Sequence, residues 1–273
     1  MTTTRRQFIR AAGAGVAASI VGNSDAGAAA GQRLKLGMAS YTFRKIGLDD
    51  TIAMTKRLGL DYIAFKDFHL AMDSTEAEIR AVAKKVRDAG LDLYGCGVVY
   101  MNNEAEINRA FDYAKAAGMR VIIGVPEHEL LPLVNKKVQE YDIKLAIHNH
   151  GPGDKRYPSP QSAYDRIRDL DPRMGLCMDI GHTQRIALDP SEETEKYFDR
   201  LHDIHVKDVS ESSSDGKTLE IGRGVIDIPK FLKTLLRLGY TGIASLEYEK
   251  DADDPLPGSA ESIGYLRGVL SVI

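Results

Sequence analysis

MGLCMDIGH, residues 174 to 182, is an apolar run that ends on one carboxylate and passes at once into glycine and histidine. Met174 to Met178 is too short and too evenly apolar for a surface helix. Asp171-Pro172 before it and Gly181 after it punctuate it as a core strand. An acid at the carboxyl end of such a strand needs a reason, because a buried carboxylate costs several kcal/mol unless it is paired, hydrogen-bonded or metal-bound. Three other apolar runs end in the same way: LAIHNH at 145–150, LHDIHVKD at 201–208 and IASLEYE at 243–249. As parallel neighbours, the four strands would bring His148, Asp179, His205 and Glu247 to one point.

Outward from this stretch one unit recurs: an apolar run, a polar turn, an amphipathic helix and a glycine just past the helix end. Gly59, Gly90, Gly118 and Gly239 each fit a left-handed residue that hands a helix to the next strand. Eight strands are expected, near 34–40, 62–66, 91–98, 120–125, 144–148, 174–180, 201–206 and 242–248. Helices fit between them, among them 74–88, which opens Ser-Thr-Glu-Ala-Glu with acids in its first turn, 104–117 and 228–238. Eight alternations give a parallel sheet, and closure gives an α/β fold, the (β/α)₈ TIM barrel, as a single domain over residues 31–273. The competitor, an open doubly wound sheet, asks for a glycine-rich phosphate turn after the first strand, and Ala39-Ser-Tyr-Thr-Phe43 is not one.

Length and charge agree with this. The chain has 273 residues, 43% of them apolar, enough for a substantial core within the range of one such barrel. The formal charge is −3, and the first thirty residues hold three arginines against one aspartate, so the rest is more acidic than the whole. That leaves no electrostatic footprint for nucleic acid. Arg5-Arg6-Gln-Phe8, a mildly apolar run to Val21 and Ala26-Gly-Ala-Ala-Ala30 have the layout of a cleavable export signal of twin-arginine type over residues 1–30. This predicts a periplasmic or secreted protein; an ordinary basic start is the alternative. The apolar run is too short and glycine-rich to span a bilayer, so no stable membrane anchor is expected. Cys96 and Cys177, both in core strands and without a spacing motif, read as small buried hydrophobes.

Active sites of such barrels lie at the carboxyl ends of the strands. Strand residues two apart face the same way, so His148 points with His150, His205 with Lys207, and Glu247 with Glu249. A nitrogen and oxygen set of this kind suits a divalent metal ion: Mn²⁺, Co²⁺, Zn²⁺ or Fe²⁺, with two imidazoles weakening the case for Mg²⁺ and arguing against Ca²⁺. Each residue alone has an ordinary explanation: a structural histidine for His148 or His205, a turn cap for Asp179, a lysine pair for Glu247. Their joint position at the ends of strands five to eight points to a metal. His182 either touches substrate or supports a ligand. Lys66, Lys207 and Arg223 are candidate grips for substrate hydroxyls, although solvated rim charges explain Lys66 and Arg223 as well. The loop at 150–159 reads either as a lid or as a plain surface connection.

From Leu34 to the end, the chain resembles the xylose isomerase-like TIM barrels, which include sugar phosphate isomerases, ketose 3-epimerases, inosose dehydratases and endonuclease IV. The resemblance rests on Asp179-Ile-Gly-His182, Ile204-His-Val-Lys-Asp208, Gly222-Arg-Gly-Val-Ile-Asp227 and Ser245-Leu-Glu247. It implies a divalent ion held by Asp179, His205 and Glu247, and by a fourth ligand on strand five. There the family's usual Leu-Glu-Asn-His reads Ile147-His-Asn-His150, so His148 stands where a glutamate is expected.

With one of the two proton-shuttling glutamates replaced, the resemblance favours an enzyme with one good base, Glu247, beside a Lewis acid. The first expectation is a lyase that opens 3-keto-glycosides by β-elimination. Glu247 would take the C2 proton and His150 or His182 would protonate the departing oxygen. The alternatives are a sugar isomerase or 3-epimerase on the same metal, with His148 or His150 as second proton carrier, and, more remotely, a non-catalytic sugar-binding barrel. DNA repair of the endonuclease IV kind needs a three-zinc cluster and a basic groove, which an acidic chain does not offer. The expected partner is a small-molecule carbohydrate, with homo-oligomer formation left open.

Overall fold

The computed structural model describes residues 34–273; the export-type segment at 1–30 lies outside them. The apolar runs form β1 (Lys35–Ala39), β2 (Tyr62–Phe65), β3 (Asp92–Met101), β4 (Val121–Pro126), β5 (Lys144–His148), β6 (Met174–Asp179) and β7 (Leu201–Val206). A small antiparallel hairpin follows, β8 (Asp208–Val209) with β9 (Thr218–Leu219), and then β10 (Ile243–Leu246). The eight long strands pair in parallel in chain order, and β10 pairs with β1 to close the barrel. This is the (β/α)₈ architecture that the strand and helix alternation predicts.

The helices are α1 (Leu48–Arg57), α2 (Glu76–Asp88), α3 (Glu104–Ala117), α4 (Leu131–Tyr141), α5 (Pro160–Ile167), α6 (Ile180–Arg185), α7 (Pro190–Lys196), α8 (Ile228–Leu238) and α9 (Leu256–Leu270). In α8, Ile228, Phe231, Leu232 and Leu235 fall on one face and are fully buried. Each contributes about 1.5–3 kcal/mol by leaving water. α2 starts later than Ser74, because the Thr75 hydroxyl accepts from Glu78 N while the Glu78 carboxylate accepts from Thr75 N, a reciprocal cap that fixes the first turn. Gly59, Gly90, Gly118 and Gly239 all take left-handed φ values, between 69° and 78°, as their positions after helices require.

Two apolar layers result. Outward-facing strand residues such as Leu145, Ile147, Leu176, Met178, Ile204 and Leu246 pack under the helices. Inward-facing Ala64, Tyr94, Val121, Ile123, Ala146, Cys177 and Ile243 fill the barrel. Period-two alternation then carries the inner row upward on four strands: Ala146 to His148, Cys177 to Asp179, Asp203 to His205, and Ser245 to Glu247. The polar residues at the carboxyl mouth are therefore the next inward-facing positions of strands that are already buried.

Candidate active site

His148, Asp179, His205 and Glu247 come together at that mouth, each offering one ligand atom within 4.8 Å of the others, and all four are buried. His148 Nε2 is 3.2 Å from His205 Nδ1 and 3.4 Å from Asp179 Oδ2, and His205 Nδ1 is 3.2 Å from Glu247 Oε2. The register places Asp179 directly beside His205 and His148 beside Cys177. The two carboxylate oxygens of Asp179 divide their work. Oδ1 accepts from His182 N at 2.8 Å and caps α6, which leaves Oδ2 facing the cluster. Asn149 fixes the strand beneath, its Oδ1 accepting from Asp179 N at 3.1 Å and its Nδ2 donating to Thr183 Oγ1 at 3.2 Å.

Lys207 completes the arrangement. Its ammonium is buried 2.7 Å from Glu247 Oε2, 2.8 Å from Asp179 Oδ2 and 3.2 Å from Glu249 Oε2. Gly181 makes room for it, since a Cβ there would stand 2.8 Å from Lys207 Cβ. Burial opposes charge on all three of Lys207, Asp179 and Glu247, but it is outweighed at Lys207 by the two carboxylates, at Asp179 by the ammonium, and at Glu247 first by His205 and then by the ammonium. Lys207 is accordingly held far above its ordinary range, and the two carboxyls well below theirs.

Burial dominates at the other imidazoles. It pushes His148 down to about 3 and His182 down to about 4, and lowers His150. At His205 burial is outweighed by Glu247, which raises the imidazole. Ligation needs neutral imidazoles and ionised carboxylates. Three of the four residues already meet that need; His205 would exchange its proton for the ion. Two imidazole nitrogens facing each other at 3.2 Å can share only one proton, and two carboxylates complete their surroundings. This donor set fits a divalent ion.

Below lies a polar layer that sequence reasoning missed. Asp203 is fully buried and accepts from Tyr94 Oη at 3.2 Å, while Tyr94 Oη lies 2.8 Å from Ser245 Oγ. Burial raises Asp203 to about 7. The signal was present as an acid one inward step below His205. Cys177 lies in the same layer; burial and Asp203 raise its thiol well above the ordinary range, so it stays protonated.

The remaining candidates divide. His150 and His182 flank His148, with ring centroids 4.6 and 5.9 Å away. Tyr100 stacks on His150 at 5.8 Å and 15°, with its hydroxyl 3.3 Å from His150 Nε2. Lys66 turns toward β3, donating to Val98 O at 2.7 Å, and stays outside the ligand set. Arg223 pairs with Glu261 of α9, Nη2 to Oε2 at 2.7 Å, with 60% of its side chain exposed. The 150–159 loop is pinned to β4: Arg156 donates to Val125 O at 3.1 Å and pairs with Glu127, and buried Tyr157 donates to Pro126 O at 2.9 Å.

A family model described as xylose isomerase-like TIM barrel matches residues 52–269. An uncharacterized protein of Methanocaldococcus jannaschii is 30% identical over 119 residues, 42% of this chain and 40% of that protein. The rhizopine catabolism protein MocC of Rhizobium meliloti is 24% identical over 146 residues, 48% of this chain and 44% of that protein. The matched segments thus span less than half of each relative. Among solved structures, the 3-keto-D-glucoside 4-epimerase YcjR of E. coli superposes with a TM-score of 0.70 at 14% identity, covering 86% of this chain and all of that one. At that identity the superposition speaks for the fold.

Proposed function

The chain belongs to the xylose isomerase-like TIM barrel family, and from that premise we propose that it is a divalent-metal-dependent sugar enzyme that removes a proton next to a carbonyl. The observation that carries this reading is the convergence of His148, Asp179, His205 and Glu247 within 4.8 Å at the barrel mouth. The ion, when bound by these four, supplies Lewis acidity that polarises a carbonyl and hydroxyl pair, favouring Mn²⁺, Co²⁺ or Zn²⁺ by donor type.

The chain's own groups define the rest. Glu247 is an ionised carboxylate among the inner ligands and is the base assigned to the carbon proton. His205 and Lys207 hold it below the ordinary carboxylate range, so its position, and not a raised basicity, supports that role. Strand five offers His148 in place of a second carboxylate, which supports a one-base reaction. In a 3-keto-glycoside the electrons of the C2–H bond form the C1–C2 double bond, the C1–O bond breaks, and the departing oxygen needs a proton. His150 and His182 lie beside the cluster to relay it. Both are neutral at pH 7, so each takes a proton from solvent at the mouth as it gives one up. Lys207 holds Glu247 and can offer its ammonium to a substrate oxygen once the ion shares the carboxylates.

The alternative outcome on the same site is epimerisation or isomerisation, which the name of the structural neighbour YcjR supports. Incubation of the Mn²⁺- or Co²⁺-loaded protein with a 3-keto-glucoside distinguishes them. Aglycone release that is lost in Glu247→Gln supports the lyase. Solvent deuterium at carbon without release supports the epimerase. The absence of both in protein shown to contain stoichiometric metal overturns the enzyme reading. The export reading of residues 1–30 is a separate proposal, tested by fractionating cells that carry Arg5→Lys with Arg6→Lys.

A further inference from the structure

The ligands occupy the half of the mouth built by β5, β6, β7 and β10; the ends of the other strands carry the rings of Tyr41, Phe68 and Tyr100 together with charged groups such as Lys66 and Glu127. β2 and β3 pair as far as Phe65 with Cys96, after a register break between Ile63 and Ala64, and β3 then continues to Met101 beside β4. Beside the ends of these strands lies a cavity of about 290 Å³ with an apolar side of Phe65, Met72, Val98, Val99 and Tyr100 and a polar side of Lys66, Asp67, Asn102, Glu106 and Arg109. Tyr100 and Phe68, at 48% and 46%, are among the most exposed large apolar side chains in the described residues, and Phe68 lies 6.1 Å from the ring of Tyr41. Tyr100 belongs to both halves: it lines the cavity and stacks on His150, whose ring is 4.6 Å from that of His148.

We propose that this cavity is a second subsite, which takes a ring-shaped leaving group of a glycoside whose first ring lies at the ligand cluster. Small-molecule sites are concave and apolar, with a few placed polar groups, and this volume has room for about one ring. Phe65, Met72 and Val98 provide the apolar wall, and Tyr100 provides a flat face. Lys66 and Arg109 carry donors for hydroxyls on that ring. A lone monosaccharide at the cluster would leave the cavity without a partner.

The glycoside class rests on the function proposed above, so the test reads binding without turnover. Calorimetry on Mn²⁺-loaded protein compares phenyl with methyl glucosides of both anomers, for the parent, Tyr100→Ala and the surface variant Phe68→Ser, with melting curves recorded in parallel. The subsite predicts at least tenfold tighter binding of a phenyl glucoside, falling below threefold in Tyr100→Ala and unchanged in Phe68→Ser, since the ring of Phe68 lies against Tyr41 and His69 and outside the cavity lining. Equal affinity for phenyl and methyl compounds, binding of neither, or a phenyl preference that survives Tyr100→Ala overturns it. A phenyl preference in a protein that releases no aglycone would leave the subsite standing while the lyase falls. Efficient release from methyl and phenyl substrates alike would do the reverse.

Discussion

Lys207 Nζ lies 2.7 Å from Glu247 Oε2, inside the barrel mouth and out of reach of solvent. The lysine stands two residues after His205, on the same inward side, and also meets Asp179 and Glu249. It thus compensates two buried carboxylates, Asp179 and Glu247, and reaches the part-exposed Glu249 beyond them. A divalent ion entering the cluster must share these carboxylates with it.

Replacing Lys207 with methionine should therefore destabilise the metal-free protein by about 3–5 kcal/mol, the usual cost of leaving buried charges unpaired. Mn²⁺ should restore more stability to the variant than it adds to the parent. Urea unfolding in EDTA and in Mn²⁺ measures both. A metal-free variant as stable as the parent would show that the ammonium does not balance the cluster.

The ligand positions were legible in the sequence because two rules meet there. Period-two alternation fixes which way a strand residue faces, and burial makes an acid such as Asp179 or Glu247 expensive unless something holds it. Lys207 was legible as sharing a face with His205, but four methylenes separate its charge from its backbone, so its carboxylate partners were not. Arg223 lies in a loop, where no periodicity applies; the path of that loop is set by Asp208, and the guanidinium ends on Glu261. Asp203 escaped notice because the hydroxyls that meet in its layer, Tyr94 and Ser245, come from strands far from it in sequence, so nothing local marks the acid as held.

His148 is where strand five departs from the family pattern, and it can be tested by two substitutions. His148→Ala should lower Mn²⁺ affinity by at least the 10- to 100-fold typical of disturbed metal surroundings. His148→Glu should keep the ion and add a second carboxylate, raising solvent deuterium exchange at carbon relative to aglycone release. Metal titration and mass spectrometry of recovered substrate read the two effects. Unchanged Mn²⁺ affinity in His148→Ala would remove this histidine from the ligand set.

Acid should weaken the metal-free protein. Burial holds His148 at about 3 and His182 at about 4, whereas in the unfolded chain both titrate near 6.5. Between those values the unfolded state binds protons that the folded state does not, so stability falls as pH drops below 6.5. The slope is at most roughly 1.4 kcal/mol per pH unit for each imidazole. Asp179 and Glu247, held low in the fold, lose their stabilising contribution on further acidification, with the same sign. Urea midpoints from pH 7 to pH 4.5 should decline, and less steeply in His182→Gln. Asp203, raised by burial to about 7, and His205, raised by Glu247, bind protons in the fold over this range and act with the opposite sign. The decisive reading is therefore the difference between the two proteins: equal slopes in the parent and His182→Gln would mean that this imidazole is charged in the folded protein.

Asp208 explains why the Gly222 to Asp227 segment accompanies the strand-seven motif. Its carboxylate accepts from Gly222 N and Gly224 N at 2.9 Å each, from Val209 N at 2.9 Å and from Ile226 N at 3.3 Å, folding the loop back over the end of β8. A Cβ on Gly224 would stand 2.1 Å from Asp208 Oδ1, so that glycine is required by close approach. Asp208→Ala leaves four donors without their acceptor, and at about 1–3 kcal/mol for an unsatisfied buried group it should cost at least that much. Gly224→Ala should cost a comparable amount by pushing the carboxylate out of its seat. The loop begins two residues after Lys207, so both variants should also speed amide hydrogen exchange across residues 209–226 while leaving β2 to β4 protected. Exchange that rises evenly through the barrel, or not at all, would show that Asp208 does not fasten this loop.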